Sequence, residues 1–187
     1  MYILENAVNG KRYVSSSERF APVFNPATGE QIGQVPLSGD KEINLAVAAA
    51  KAAQPAWGNL PPAKRARVMF KFLQLLNENL DELAREVSRE HGKTHDDAVG
   101  ECTRGLEVVE YACGIAQMLK GEFSRNVGPA IDTYADRQPL GVVAGITPFN
   151  FPAMVPMWMY PMAIAAGNAF VLKPSERDPS ASMLAWD

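Results

Sequence analysis

Histidine and cysteine are scarce in this chain, two of each in 187 residues, and that scarcity removes several kinds of chemistry. A structural metal centre needs about four closely spaced ligands. His91 and His95, four apart, would share a face only if one helix ran through both, and Gly92 lies between them. No neighbouring Cys or third His completes a set, so no metal site is expected and surface or capping roles are assigned to both. A concentrated basic face is also missing: the net charge is -3, without the Lys/Arg cluster that nucleic-acid binding requires. The amino terminus lacks a basic segment followed by an apolar one, so no secretory signal is read and a cytoplasmic or similar reducing compartment is expected. Absent too is G-x-G-x-x-G, the usual dinucleotide fingerprint. Neither internal repeats nor a low-complexity linker divides the chain, and its helices and strands are expected to pack together.

Charge is missing altogether from Gln138 to Leu172, a length that invites comparison with a membrane span. Pro139, Pro148, Pro152, Pro156 and Pro161, with Asn150 and Asn168 between them, argue against a continuous lipid-facing helix. Backbone groups freed by proline would find no partner in lipid, so a buried core and no membrane partner are expected.

What remains is the composition of a folded α/β protein, 47% hydrophobic and 21% charged. Asn9-Gly10 predicts a hairpin, and Asn25-Pro26-Ala27-Thr28-Gly29 a turn between strands at 22–24 and 31–36. Acidic Asp40 and Glu42 open a helix expected to run to Gln54 and stop at Pro55. After Pro61-Pro62, the apolar stripe Val68, Phe72, Leu75, Leu76, Leu80, Leu83 and Val87 predicts one long helix ending near Gly92. Thr94, with Asp97 three residues on, starts a third helix whose buried side is Cys102, Leu106, Val109, Cys113 and Ala116. Both cysteines therefore read as small core residues. Arg104 lies off that stripe, and spacing alone makes it a solvated side chain. Within residues 121–140 a strand is expected over 131–135 with its turn at 126–129, and 121–140 with residues 1–37 form candidate antiparallel strands outside the main sheet, a surface for interaction.

Gly141 to Pro179 carries the chemistry. Apolar runs at Gly141–Ile146 and Ala169–Leu172 flank a Met-rich segment, predicting strand, helix and parallel strand. In open α/β sheets the carboxyl ends of such strands form the ligand edge. Asn150, held between Pro148 and Pro152, can donate its amide to an oxygen gaining charge or can bond its own loop. Lys173 can meet a phosphate or ribose hydroxyl, and Glu176 can accept from ribose or pair with Lys173 or Arg177.

The segments Ile146-Thr147-Pro148-Phe149-Asn150-Phe151-Pro152, Ala166-Gly167-Asn168 and Lys173-Pro174-Ser175-Glu176 resemble the first part of the aldehyde dehydrogenase superfamily. Phe149, Arg177, the run Trp158–Ala165, and Gly92-Lys93-Thr94 followed by Thr103–Glu110 are most similar to its coenzyme-A-acylating methylmalonate-semialdehyde dehydrogenases. That resemblance implies an aldehyde-dehydrogenase-like α/β fold, with residues 1–187 as the amino-terminal part of the NAD-binding domain and a partial doubly wound sheet. It assigns Asn150 to the oxyanion hole, Arg104 to the substrate carboxylate, and Thr147, Phe149, Lys173, Glu176 and Arg177 to NAD. Coenzyme A is implied as co-substrate, a small semialdehyde as substrate, and a homo-oligomer, dimer or tetramer, as the assembled state. Family members continue into a catalytic domain bearing a nucleophilic cysteine that neither Cys102 nor Cys113 matches, so the 187 residues alone are expected to be inactive. A non-acylating aldehyde dehydrogenase, or a non-catalytic remnant pairing with an intact subunit, stands as the alternative.

Overall fold

The computed structural model describes all 187 residues, Met1–Asp187. Its amino-terminal part is built from β1 (Tyr2–Ile3), β2 (Asn6–Val8), β3 (Lys11–Tyr13), β4 (Phe20–Asn25) and β5 (Glu30–Pro36). Asn9 and Gly10 both adopt positive φ, 52° and 71°, and close the β2–β3 hairpin with the backbone twist that two-residue turns require. β4 and β5 pair antiparallel around the Asn25–Gly29 turn, as expected. β1 instead joins β5 in parallel, Tyr2 opposite Gly33, so this small sheet is mixed rather than antiparallel throughout.

Helices α1 (Asp40–Gly58), α2 (Pro62–Glu78), α3 (Leu80–His91), α4 (His95–Cys113) and the short α5 (Ile115–Met118) follow. Two of these helices depart from expectation. α1 passes through Pro55, because its last turn is anchored from outside: Gln54 Nε2 donates to Gly167 O at 3.1 Å and Trp57 Nε1 to Ile164 O at 2.7 Å. The single long helix is two, divided at Asn79, whose side chain donates to Leu75 O (2.8 Å) and ends α2 while Asp81 and Glu82 open α3. Within α2, Met69 and Leu76 face the core, one position round from Val68 and Leu75, which are exposed.

Gly92, with φ 86°, ends α3, and Thr94 Oγ1 accepts from Asp97 N–H (3.3 Å) to cap α4. The expected stripe is buried at Cys102, Leu106, Val109 and Cys113, whereas Ala116 falls beyond the end of α4 and is half-buried in α5. Leu76, Leu83 and Val87 pack with Cys102, Leu106 and Met157 into the main core, and Met69, Ala112, Ile115 and Ala165 form a second cluster beside it.

β6 (Phe123–Gly128) and β7 (Ile131–Tyr134) form a separate two-stranded hairpin, joined to no other sheet. Its turn is Pro129-Ala130, with φ 60° at Ala130, later than the expected 126–129. Asn126 lies within β6 instead, its N–H bonded to the Asp132 carboxylate at 3.0 Å. The unit β8 (Val142–Ile146), α6 (Met154–Ala165), β9 (Ala169–Lys173) is strand, helix, parallel strand, with Ile146 in register with Lys173. A last helix, α7 (Ser180–Trp186), had no counterpart in the sequence reading. Despite the uncharged run, no helix is long and apolar enough to cross a membrane.

Candidate functional site

The carboxyl ends of β8 and β9 meet as expected, Thr147 N–H donating to Lys173 O at 3.1 Å. This one bond aligns two loops, 147–153 and 174–179. Lys173 Nζ and Glu176 pair at 2.7 Å, both about half exposed, and that pairing holds the Glu176 carboxyl below its ordinary range. Arg177 stacks its guanidinium 4.5 Å above the Phe149 ring and directs its N–H to Ser175 Oγ at 3.0 Å. Thus Lys173 with Glu176, and Phe149 with Arg177, form two neighbouring pairs on the same edge. Thr147 is 4% exposed, and its hydroxyl has no hydrogen-bond partner.

Asn150 stands farther along the first loop, exposed, with its side-chain amide bonded to nothing within the chain. Its backbone carbonyl is engaged, accepting from Lys93 Nζ at 3.1 Å. The local alternative, an asparagine spent on its own loop, therefore does not describe it. Arg104 is exposed on α4, one turn beyond Glu101, and also makes no bond to a protein acceptor. The structure brings α4 against α6 through Gly105, where an added Cβ would lie 2.6 Å from Met157 Cε. Arg104 therefore rides on the helix that packs directly behind the Asn150 loop.

Two residues that sequence spacing did not single out are built into this site. Lys93 and Glu101 form an ion pair at 2.6 Å, 5% and 0% exposed. Glu101 Oε1 also accepts from the backbone N–H groups of Ala153 (2.9 Å) and Met154 (3.1 Å), where α6 begins. One signal for Glu101 was legible: it neighbours Cys102 on the buried side of α4, where a carboxylate needs partners.

The thiols are remote from such chemistry. Cys102 is wholly buried and burial pushes its thiol up to about 12, while Cys113, also raised by burial, directs its thiol to Val109 O at 3.4 Å. His91 and His95 lie on different helices. His95 Nε2 contacts Asp81 Oδ1 at 2.9 Å, and burial lowers the His91 imidazole. A cleft of about 460 Å3 lies between β1, α3 and α7, lined by Tyr2, Arg89 and Ser180, and contains none of the strand-end residues.

Parallel strands joined by a helix, with an unpaired amide and charged groups at their carboxyl ends, place the chain in the open-sheet α/β class, in which that edge is where ligands bind. Within that class the chain belongs to the aldehyde dehydrogenase family, whose model matches residues 13–186. It is 59% identical over 184 residues to the malonate-semialdehyde dehydrogenase of Pseudomonas aeruginosa, covering 98% of this chain and 37% of that protein. The acylating mitochondrial methylmalonate-semialdehyde dehydrogenase of Arabidopsis thaliana is 51% identical over 96% of this chain and 30% of its own length. Among solved structures, a protein of Sinorhizobium meliloti 1021 assigned as a methylmalonate-semialdehyde dehydrogenase, complexed with NAD, superposes with a TM-score of 0.96 at 56% identity. That match covers 99% of this chain and 38% of the other. The chain thus spans 30% to 38% of the length of these relatives.

Proposed function

We propose that these 187 residues are the amino-terminal part of the NAD-binding domain of an NAD-dependent, coenzyme-A-acylating malonate- or methylmalonate-semialdehyde dehydrogenase. The observation that carries the reading is Asn150, its backbone fixed and its amide left without an intramolecular partner at the strand-end edge. When a nucleophile attacks an aldehyde carbonyl, the oxygen gains negative charge, and a donor already in place stabilises it. Arg104, an unpaired planar fork on the adjoining helix, suits a carboxylate and favours a semialdehyde acid over a plain aldehyde. Neither cysteine of this chain serves as the nucleophile, since both thiols are buried and held protonated.

The edge fits a dinucleotide. The Thr147 hydroxyl lacks a partner, Lys173 and Glu176 offer a donor and an acceptor suited to ribose, and Phe149 with Arg177 presents a flat face. NAD, when bound, supplies the hydride acceptor of the reaction. Self-association is part of the proposal, supported by the apolar side chains Phe123, Val127, Ile131 and Tyr134 exposed on the β6–β7 hairpin.

The test joins this chain to the catalytic remainder of the Pseudomonas relative and follows NADH formation from malonate semialdehyde with and without coenzyme A. Coenzyme-A-dependent turnover is expected, with Asn150→Ala lowering kcat about 100-fold or more. Arg104→Ala is expected to lower kcat/KM for the carboxylated substrate by roughly 10- to 100-fold, the loss of a charged hydrogen bond. Unchanged turnover in Arg104→Ala would defeat the substrate assignment. NADH production by the 187 residues alone would defeat the division of the site.

A further inference from the structure

Glu101 is a carboxylate with no exposed surface, and its two oxygens are divided between two tasks. Oε1 gathers the N–H groups of Ala153 and Met154, while Oε2 takes the ammonium of Lys93. Lys93 passes the contact forward, donating to the Asn150 carbonyl and lying 4.0 Å above the Phe151 ring. Four of the five residues from Asn150 to Met154 are therefore gripped by one ion pair that comes from outside the loop. Lys93 cannot wander, because Gly92 ends α3 on one side of it and Thr94 caps α4 on the other. A desolvated ion pair is weak evidence for stability, since apolar side chains of similar volume would fill the space as well. What the charges add is direction, in hydrogen bonds that fix where the loop backbone runs.

We propose that Lys93 and Glu101 are positioning residues that aim the Asn150 side chain at the carbonyl oxygen, an inference that rests on reading Asn150 as the oxyanion donor. The Asn150 amide has no neighbour within the chain to orient it, so its aim is inherited from its backbone. An electrostatic donor works only when placed before the reaction, and a displacement of about 1 Å can cost about 100-fold in rate.

In the chain joined to the catalytic remainder of the Pseudomonas relative, Glu101→Gln is expected to lower kcat about 10- to 100-fold while the aldehyde KM stays within about threefold. Amide hydrogen exchange at Ala153 and Met154 should quicken in parallel. The decisive readout is coupling: in an Asn150→Ala background, adding Glu101→Gln should slow turnover no further, because the group it aims is gone. A purely structural role would slow both backgrounds alike, and that result overturns the proposal. So does an unchanged kcat in Glu101→Gln. If Glu101→Gln fails to fold, Lys93→Met carries the same kinetic expectations without the faster exchange at Ala153 and Met154, since it leaves Glu101 on the α6 amides and releases only Asn150 and Phe151. Asn150→Ala alone separates the two readings. Without effect, it removes the oxyanion assignment and this inference with it; with effect, while Glu101→Gln and Lys93→Met are silent, it removes the positioning role only.

Discussion

Arg65 is buried to 3% exposure with no carboxylate beside it, and it is held instead by three backbone carbonyls. Nε donates to Ala165 O at 2.8 Å, and Nη1 donates to Gly58 O at 3.0 Å and to Leu60 O. Two of these oxygens lie in the turn from α1 to α2 and the third at the end of α6, so one side chain ties two chain reversals together. Burial lowers its pKa, yet a guanidinium remains charged at any physiological pH. Truncation would leave buried carbonyls without donors, and Arg65→Ala is expected to cost about 3 kcal/mol or more in unfolding free energy. Arg65→Lys should recover under half of that, because a point charge cannot span the three acceptors a planar fork reaches. Urea unfolding of both variants checks this, and equal stability of Lys and Arg would refute the fork argument. Arg65 was illegible in the sequence, standing in the basic run Lys64-Arg65-Ala66-Arg67 at a helix start, where a solvated side chain is the natural reading. Lys93 was hidden for the same reason: its partners lie 8 and 57 residues away.

Elements whose cause is local were legible, and those whose cause is tertiary were not. Asn9-Gly10, the Asn25–Gly29 turn and the Thr94 cap are set by side chains within a few residues, and all three stand where expected. The β8–α6–β9 unit was legible because two short apolar runs flank a Met-rich segment too long to be a strand. By contrast, α1 outlasts Pro55 through bonds to residues more than 100 positions away, and Asn79 breaks a pattern that hydrophobic spacing alone would continue. For the site, the sequence indicated the edge on which Phe149, Lys173, Glu176 and Arg177 cluster, but not the buried pair behind Asn150. Gly92 joins both kinds of cause. Its φ of 86° favours glycine, and an added Cβ would lie 2.7 Å from Pro26 Cγ. Gly92→Ala is therefore expected to lose about 1 to 2 kcal/mol, combining left-handed strain with displacement of the 25–29 turn. A melting temperature matching that of the parent chain would contradict this.

At the scale of the whole molecule, β8 and β9 form a sheet of two strands with both outer edges unpaired, and Ile146 and Leu140 stand 77% and 88% exposed beside it. Open edges and apolar faces favour association. The chain's stability has a pH dependence set by two carboxyls in opposite situations. Glu42 is held down to about 2 by the Ser16 hydroxyl and N–H, with the Gly39 N–H adding to them, so its contribution is present above about 4.5 and lost as pH falls through 2. Asp178 is 3% exposed, and burial pushes its carboxyl up to about 7 despite the nearby Ser175 hydroxyl, with Glu90 and Glu101 raising it further and Lys93 opposing. A carboxyl with a raised folded pKa binds more protons folded than unfolded between 3.8 and about 7. Stability therefore falls as pH rises through that window, and the penalty is complete above it. His91, whose imidazole burial lowers, acts oppositely, losing stability as pH drops below 6.5. Comparing Asp178→Asn with the parent chain isolates the carboxyl. The variant's advantage in unfolding free energy should grow from pH 4 to pH 8 by up to about 4 kcal/mol. Urea titrations at the two pH values measure it, and a difference that does not change with pH would show that Asp178 ionises in the folded chain as freely as in the unfolded one.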